Sequence, residues 1–294
     1  MKKILFLTIF MTSFAFASLT VDTTYSTIAA ITHKVGGDLV EVTVLGSSKY
    51  DPHFIVPKPS LLSKLRRADL LIMNGGGLEL GWLPPLIKSA NNPNIQAGAK
   101  GFLDVSHFIN MIDVPTSVSR AFGDVHAQGN PHYSTDPHNV LDMAKAIAQK
   151  LAALDPQHAT TYQNNLDSFL KEWTAYLKIY DENMATCSDK KVVQYHELYN
   201  YFLKRYGFTS YGNIEPLPGI APSSKHTIEL INTMKKNGVK TILQDVYHEK
   251  KTAKFIASKA GANVEIIPHD VGAVKGSDRL KDFYNTISKQ ICKQ

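Results

Sequence analysis

The sequence predicts an α/β protein of two open domains with mainly parallel sheets, joined by a long rigid helix. Short apolar runs alternate with helix-like segments in both halves of the chain. One unbroken amphipathic stretch separates the halves, and 294 residues exceed what a single hydrophobic core usually organises.

The first 17 residues read as an export signal. Lys2 and Lys3 give a positive start, Ile4 to Phe14 an apolar stretch, and Ala15-Phe16-Ala17 a small-x-small cleavage site before Ser18. No cysteine follows that site to accept a lipid, and no later stretch reaches the roughly 18 apolar residues a membrane span needs. The expectation is a free protein in a Gram-negative periplasm, with its signal peptide (residues 1–17) removed.

Residues 18–154 form the expected N-terminal α/β domain. Leu19 to Thr23, Val40 to Leu45 and Leu70 to Met73 read as strands, with helices over Ser26 to Val35 and Ser60 to Arg67. Residues 155–184 form the expected linking helix. Asp155-Pro156 is a start signal, and no Gly or Pro follows before Met184. Tyr162, Leu166, Phe169, Leu170, Trp173, Leu177 and Tyr180 recur at helical spacing along one face. Such a helix would run roughly 40 Å, a spine rather than a tether. Residues 185–294 form the C-terminal α/β domain. Its strands are expected at Val192 to Tyr195, Val239 to Leu243 and Val264 to Ile267, its helices at His196 to Tyr206, Thr227 to Lys236 and Thr252 to Ala260.

The formal charge of +6 includes Lys2 and Lys3, and the remaining excess is scattered. That excludes nucleic acid as a partner. The only two cysteines, Cys187 and Cys292, predict one disulfide in an oxidising compartment. Closing so long a loop contributes about 4 to 5 kcal/mol in the chain-entropy model. Neither cysteine has the CxxC spacing of a redox or zinc site.

Chemistry concentrates in the histidines. His53 and His132 each directly follow a proline, in Asp51-Pro52-His53 and Asn130-Pro131-His132. Imidazoles held on stiff turns are economical metal ligands. Asn110 to Asp136 is the longest irregular stretch and carries His126 and His132. In open α/β sheets ligands bind beyond the carboxyl ends of strands. His196 directly follows one predicted strand, and Asp270 follows another after Pro268 and His269. Two candidates per half suit a metal held in the cleft between domains. Three imidazoles and a carboxylate favour Zn²⁺ over Mn²⁺, which prefers more oxygen. His126 and His269 adjoin these positions as alternative donors or supporting residues. His33, His107, His138, His158, His226 and His248 read as surface or structural groups.

Two other readings are weaker. Gly75-Gly76-Gly77 could cradle a phosphate, but no Lys-Ser/Thr follows, and Glu79 puts a carboxylate where the anion would go. A zinc-dependent periplasmic hydrolase could use Glu197 or Asp245 as base. It would also need an open coordination position, which four protein ligands deny.

Several motifs together resemble the metal-specific solute-binding proteins of ABC importers, the zinc/manganese cluster. Asp51-Pro52-His53 with Pro57-Lys58-Pro59-Ser60, Ala68-Asp69-Leu70 and Asn74-Gly75-Gly76-Gly77-Leu78-Glu79 are similar to the first domain of that family. Gly129-Asn130-Pro131-His132-Tyr133, Asp136-Pro137, the spine helix, His196 with Tyr201-Phe202 and Tyr206-Gly207, Pro222-Ser223, Val239 to Leu243 and Asp270 continue the likeness in order. The resemblance implies metal ligation by His53, His132, His196 and Asp270. It implies a non-enzymatic monomer that carries a divalent ion to a membrane permease with its ATPase. The chain departs from many zinc-specific members in lacking a long His-rich loop, offering only His107 and His126 there. Its third ligand is His196, where manganese-preferring members have Glu. That tilts the expectation to zinc, with a manganese carrier as the alternative.

Overall fold

The computed structural model describes residues 18–117 and 126–292, so the expected signal peptide lies outside the described residues. The first sheet is built from β1 (Leu19–Thr23), β2 (Val40–Val44), β3 (Leu70–Met73) and β4 (Phe102–Asp104), in the order β2-β1-β3-β4. The second uses β5 (Lys191–Gln194), β6 (Thr209–Asn213), β7 (Thr241–Gln244) and β8 (Asn263–Ile266), in the order β6-β5-β7-β8. Every pairing in both sheets is parallel. Each sheet therefore reverses its winding direction beside its first strand, which opens a crevice at the carboxyl ends of the strands.

In the first half α1 (Ser26–Gly36), α2 (Pro59–Leu65) and α3 (Leu83–Ala90) make the crossovers, and α4 (Asn139–Leu154) leads to the connector. Residues Pro156–His158 form a single 3₁₀ turn, after which α5 runs from Ala159 to Ala185. The expected spine is thus present with a tighter first turn. Its buried face is Tyr162, Leu166, Phe169, Trp173, Leu177, Tyr180 and Met184. This ladder packs on α1 and α4 of the first half. It also reaches α9 (Leu280–Ile291), where Tyr180 donates to the Tyr284 carbonyl at 2.9 Å and the Trp173 and Tyr284 rings meet at 5.7 Å. One apolar core consequently runs from β1 through α5 into α6 (Asn200–Tyr206) and α9. A smaller core sits under α7 (Ser224–Asn237) and α8 (Lys250–Ala260) on the other face of the second sheet.

The sequence expectations differ from this fold in specific places. The helix expected from His196 starts only at Asn200, because residues 196–199 turn and leave His196 in the crevice. The strand expected from Val239 begins at Thr241. Strands β4 and β6 and helices α3, α4 and α9 lie outside the expected elements. Cys187 and Cys292 are joined as a disulfide, tying the end of α5 to the end of α9.

Candidate metal centre

Three of the four sequence-predicted ligands converge. One ring nitrogen each from His53, His132 and His196 lies within 4.8 Å of the others, a group that could hold a metal ion, and all three side chains are buried. His53 stands on the loop after β2, His132 on the loop after β4, and His196 directly beyond β5, so both sheets contribute at their carboxyl ends.

The loops are held by their neighbours. The carbonyl of Pro52 accepts from Tyr25 Oη at 2.8 Å and Trp82 Nε1 at 3.2 Å, which clamps the turn ahead of His53. Around His132, Asn74 Nδ2 donates to the Pro131 carbonyl and Tyr201 Oη to the Asn130 carbonyl. Asn130 Nδ2 reaches the Glu197 carbonyl across the crevice at 2.8 Å. The Pro52 turn is therefore fixed from within the first half, and the Pro131 turn by hydrogen bonds from both halves.

Carboxylates orient two of the rings. His53 Nδ1 donates to Asp51 Oδ1 at 2.7 Å, and His196 Nδ1 donates to Glu215 Oε2 at 2.9 Å. An ionised carboxylate only accepts, so each Nδ1 carries the proton and each Nε2 presents its lone pair to the centre. Burial pushes Asp51 and Glu215 up. The hydrogen bond and charge of His53 outweigh burial for Asp51, and those of His196 and His248 bring Glu215 down to about 2. Glu215 Oε1 also meets His248 Nε2 at 3.2 Å, and His248 Nδ1 donates to Asp245 at 2.7 Å. Burial opposes protonation of His248, but these two carboxylates prevail and raise it to about 9. His132 has the opposite setting. Burial first, then the neighbouring imidazoles, drives it well below its ordinary value, which keeps it neutral and ready to ligate.

The spacing of the rings fits a small cation. Four imidazoles on zinc, at Zn–N distances of about 2.0 to 2.1 Å, place neighbouring nitrogens about 3.4 Å and ring centroids about 5.2 Å apart. Here the centroids are separated by 5.2 Å for His53 and His132, 5.4 Å for His53 and His196, and 5.3 Å for His132 and His196. The nitrogens His132 Nε2 and His196 Nε2 stand 3.3 Å apart.

Asp270 is placed differently. It lies outside that three-nitrogen group, beside His132 and His269 in a cavity of about 20 Å³. Its oxygens accept from Ser26 N at 2.9 Å, Thr27 N at 2.7 Å, Thr27 Oγ1 at 2.6 Å and Val271 N at 2.9 Å. The side chain of Tyr25, the residue preceding α1, makes no cap, so a carboxylate from the second domain caps this helix of the first. His269 is buried nearby, and its Nδ1 has no partner among the described residues.

The glycine run is no anion site. Gly75, Gly76 and Gly77 have φ of 79°, 63° and 88°, and the turn they make wraps around Glu79. The Glu79 carboxylate accepts from Asn74 N and Gly75 N at 2.8 and 3.0 Å, filling the cradle from within the chain. Sequence reasoning missed Glu215 and left His248 among the surface or structural groups. Asp245, directly after β7, was named only as a candidate base for a hydrolase, and its pairing with His248 was not foreseen.

Residues 21–293 match the family described as zinc-uptake complex component A, periplasmic (ZnuA). The chain belongs to that family. ZnuA-family proteins are extracytoplasmic, metal-binding components of ABC importers of the zinc/manganese class, and the membership carries with it an exported protein. The chain is similar to a solved ZnuA deletion mutant with zinc bound, at 27% identity and a TM-score of 0.77, covering 94% of this chain and 99% of that one. It is 22% identical over 255 residues to the zinc-binding lipoprotein AdcA of Streptococcus pneumoniae, covering 85% of this chain and 49% of AdcA. It is 30% identical over 200 residues to the manganese ABC transporter substrate-binding lipoprotein PsaA of the same species, covering 65% of this chain and 60% of PsaA. The chain thus spans about half to three-fifths of these two relatives.

Proposed function

We propose that this chain binds Zn²⁺ reversibly between its two domains, with His53, His132 and His196 as ligands, and delivers it in the periplasm to an ABC import permease and its ATPase. The carrying observation is the convergence of three buried imidazoles at the spacing of a tetrahedral zinc site. Nitrogen ligation supports zinc over manganese, since Mn²⁺ favours oxygen donors. Asp270, expected from the sequence as a fourth ligand, lies outside the three-nitrogen group and accepts hydrogen bonds from the N-terminus of α1. Carriage requires no bond to be made or broken, and the reading keeps the expected division into residues 18–154, a linking helix over 155–184 and residues 185–294.

Competition titration of the purified protein against a chromophoric chelator, for Zn²⁺ and Mn²⁺ separately, tests this reading. His53→Ala should abolish tight zinc binding, while the exposed His107→Ala should leave it unchanged. Equal losses in the two variants, or tighter binding of Mn²⁺ than of Zn²⁺, would overturn it.

A further inference from the structure

We infer that the outer face of α7 and α8 docks on an anionic lipid surface, with Lys235, Lys236, Lys250, Lys251, Lys254 and Lys259 meeting phosphate headgroups while Ile228 and Phe255 enter the interface. Along the sequence the positive excess reads as scattered, but the fold gathers much of it here. Leu230, Ile231 and Met234 of α7 and Ala253, Ile256 and Ala257 of α8 turn inward to the smaller core. The two helices pack side by side, so their opposite stripes form one surface, on which all six lysines are exposed.

These cations are not consumed inside the protein. The ion pair on this face joins Lys225 to Glu229 at 3.9 Å, and none of the six lysines forms one among the described residues. Glu249, the carboxylate next to them in sequence, caps α8 by accepting from the backbone N–H groups of Lys251 and Thr252. The lysines are therefore available to an outside anion.

Apolar side chains stand among the charges. Ile228 is 59% exposed and Phe255 50% exposed, although the other large apolar residues of both helices are buried. Lysines around a protruding aromatic and an aliphatic side chain are what a helix lying in a membrane interface presents. A cluster of this size also matches the polybasic segments that bind acidic lipids. Specific protein interfaces enrich Arg and deplete Lys, and Arg forks suit phosphates that must be gripped in one geometry. No arginine occurs between Ser224 and Ala260, so diffuse attraction to headgroups fits this face better than a protein partner. No helix among the described residues is long and apolar enough to cross a membrane, so the contact is with its surface. Helix α8 starts just beyond His248, and docking through it would hold the crevice near the bilayer.

Co-sedimentation of the metal-free protein with vesicles of phosphatidylglycerol and phosphatidylcholine, against vesicles of phosphatidylcholine alone, tests this. The unmutated protein should sediment with the anionic vesicles only, and should be released at about 1 M salt, where the screening length falls to about 3 Å. Each lysine at an anionic surface strengthens binding by about fivefold, so replacing Lys250, Lys251, Lys254 and Lys259 together by Gln should weaken it by at least about 100-fold. Phe255→Ser should weaken it by about fivefold. Both variants should bind zinc as the unmutated protein does, which reports an intact fold and crevice. Equal binding to the neutral vesicles, or unchanged sedimentation of the four-lysine variant, would overturn the inference. So would a failure to sediment with the anionic vesicles, and capture of soluble polyglutamate in that case would assign the face to an acidic polypeptide instead. Each of these failures leaves the proposed function standing, because none of them measures zinc.

Discussion

Glu215 joins two histidines of different character. One oxygen accepts the Nδ1 proton of His196 at 2.9 Å, and the other faces His248 Nε2 at 3.2 Å. His196 presents a lone pair to the centre, while His248, further anchored by Asp245, carries a positive charge behind it. Glu215→Gln keeps the shape but removes the charge that fixes the His196 tautomer. Zinc affinity should fall by about 10- to 100-fold with the fold intact. Chelator competition with circular dichroism checks this, and unchanged affinity would count against an orienting role.

His248 and His132 should titrate in opposite directions in the metal-free protein. His248 is raised to about 9 and should remain protonated at pH 8, whereas His132 should remain neutral at pH 5.5. A raised histidine stabilises the fold fully below its ordinary value near 6.5, and that contribution is lost as pH climbs through about 9. His132, being depressed, acts oppositely: its favourable share exists above about 6.5 and is lost as pH falls below that. Histidine ring-proton NMR from pH 5 to 10 reads both directly. Ordinary titration of either near 6.5 would contradict the geometry.

Asp270 should matter to the fold before it matters to the ion. Its carboxylate is hydrogen-bonded to Ser26 and Thr27 across the two domains. Asp270→Ala should lower metal-free stability by on the order of 2 to 4 kcal/mol, from the lost charge-assisted bonds and helix cap. Denaturant unfolding without metal measures it. A loss seen only in the zinc-loaded protein would instead make Asp270 a ligand.

The disulfide is expected to act through the unfolded chain. Cys187 and Cys292 close a loop spanning 105 positions. The double replacement Cys187→Ser with Cys292→Ser should reduce stability by about 4 to 5 kcal/mol on the chain-entropy model. Thermal melts of the two proteins decide it, and a difference below about 1 kcal/mol would show that the reduced state is already compact.

Much of this arrangement was legible in the residues. Strands β1 and β3 fall where their apolar runs end, and the ladder from Tyr162 to Tyr180 is the buried face of α5. Short, stiff signals such as Pro52-His53 and Pro131-His132 also transferred, because a proline turn reads the same in any context. What failed depended on partners remote in sequence. β4 has only three residues, β6 carries a glycine, and α3 has two prolines in its first turn that resemble a breaker. Glu215 lies 19 residues beyond His196, with no local pattern announcing that they touch. Asp270 stands beside the expected site, yet its role depends on a helix start 243 residues earlier.

The aromatic ladder of α5 has a consequence for how the molecule comes apart. The same apolar interior extends from β1 through that helix into α9, so neither lobe owns a complete core. Cutting the chain within residues 159–185 would bare rings on both fragments. The two halves, separate in outline, should therefore melt in one step, and an ion clasped between them would lift the melting temperature of the entire molecule.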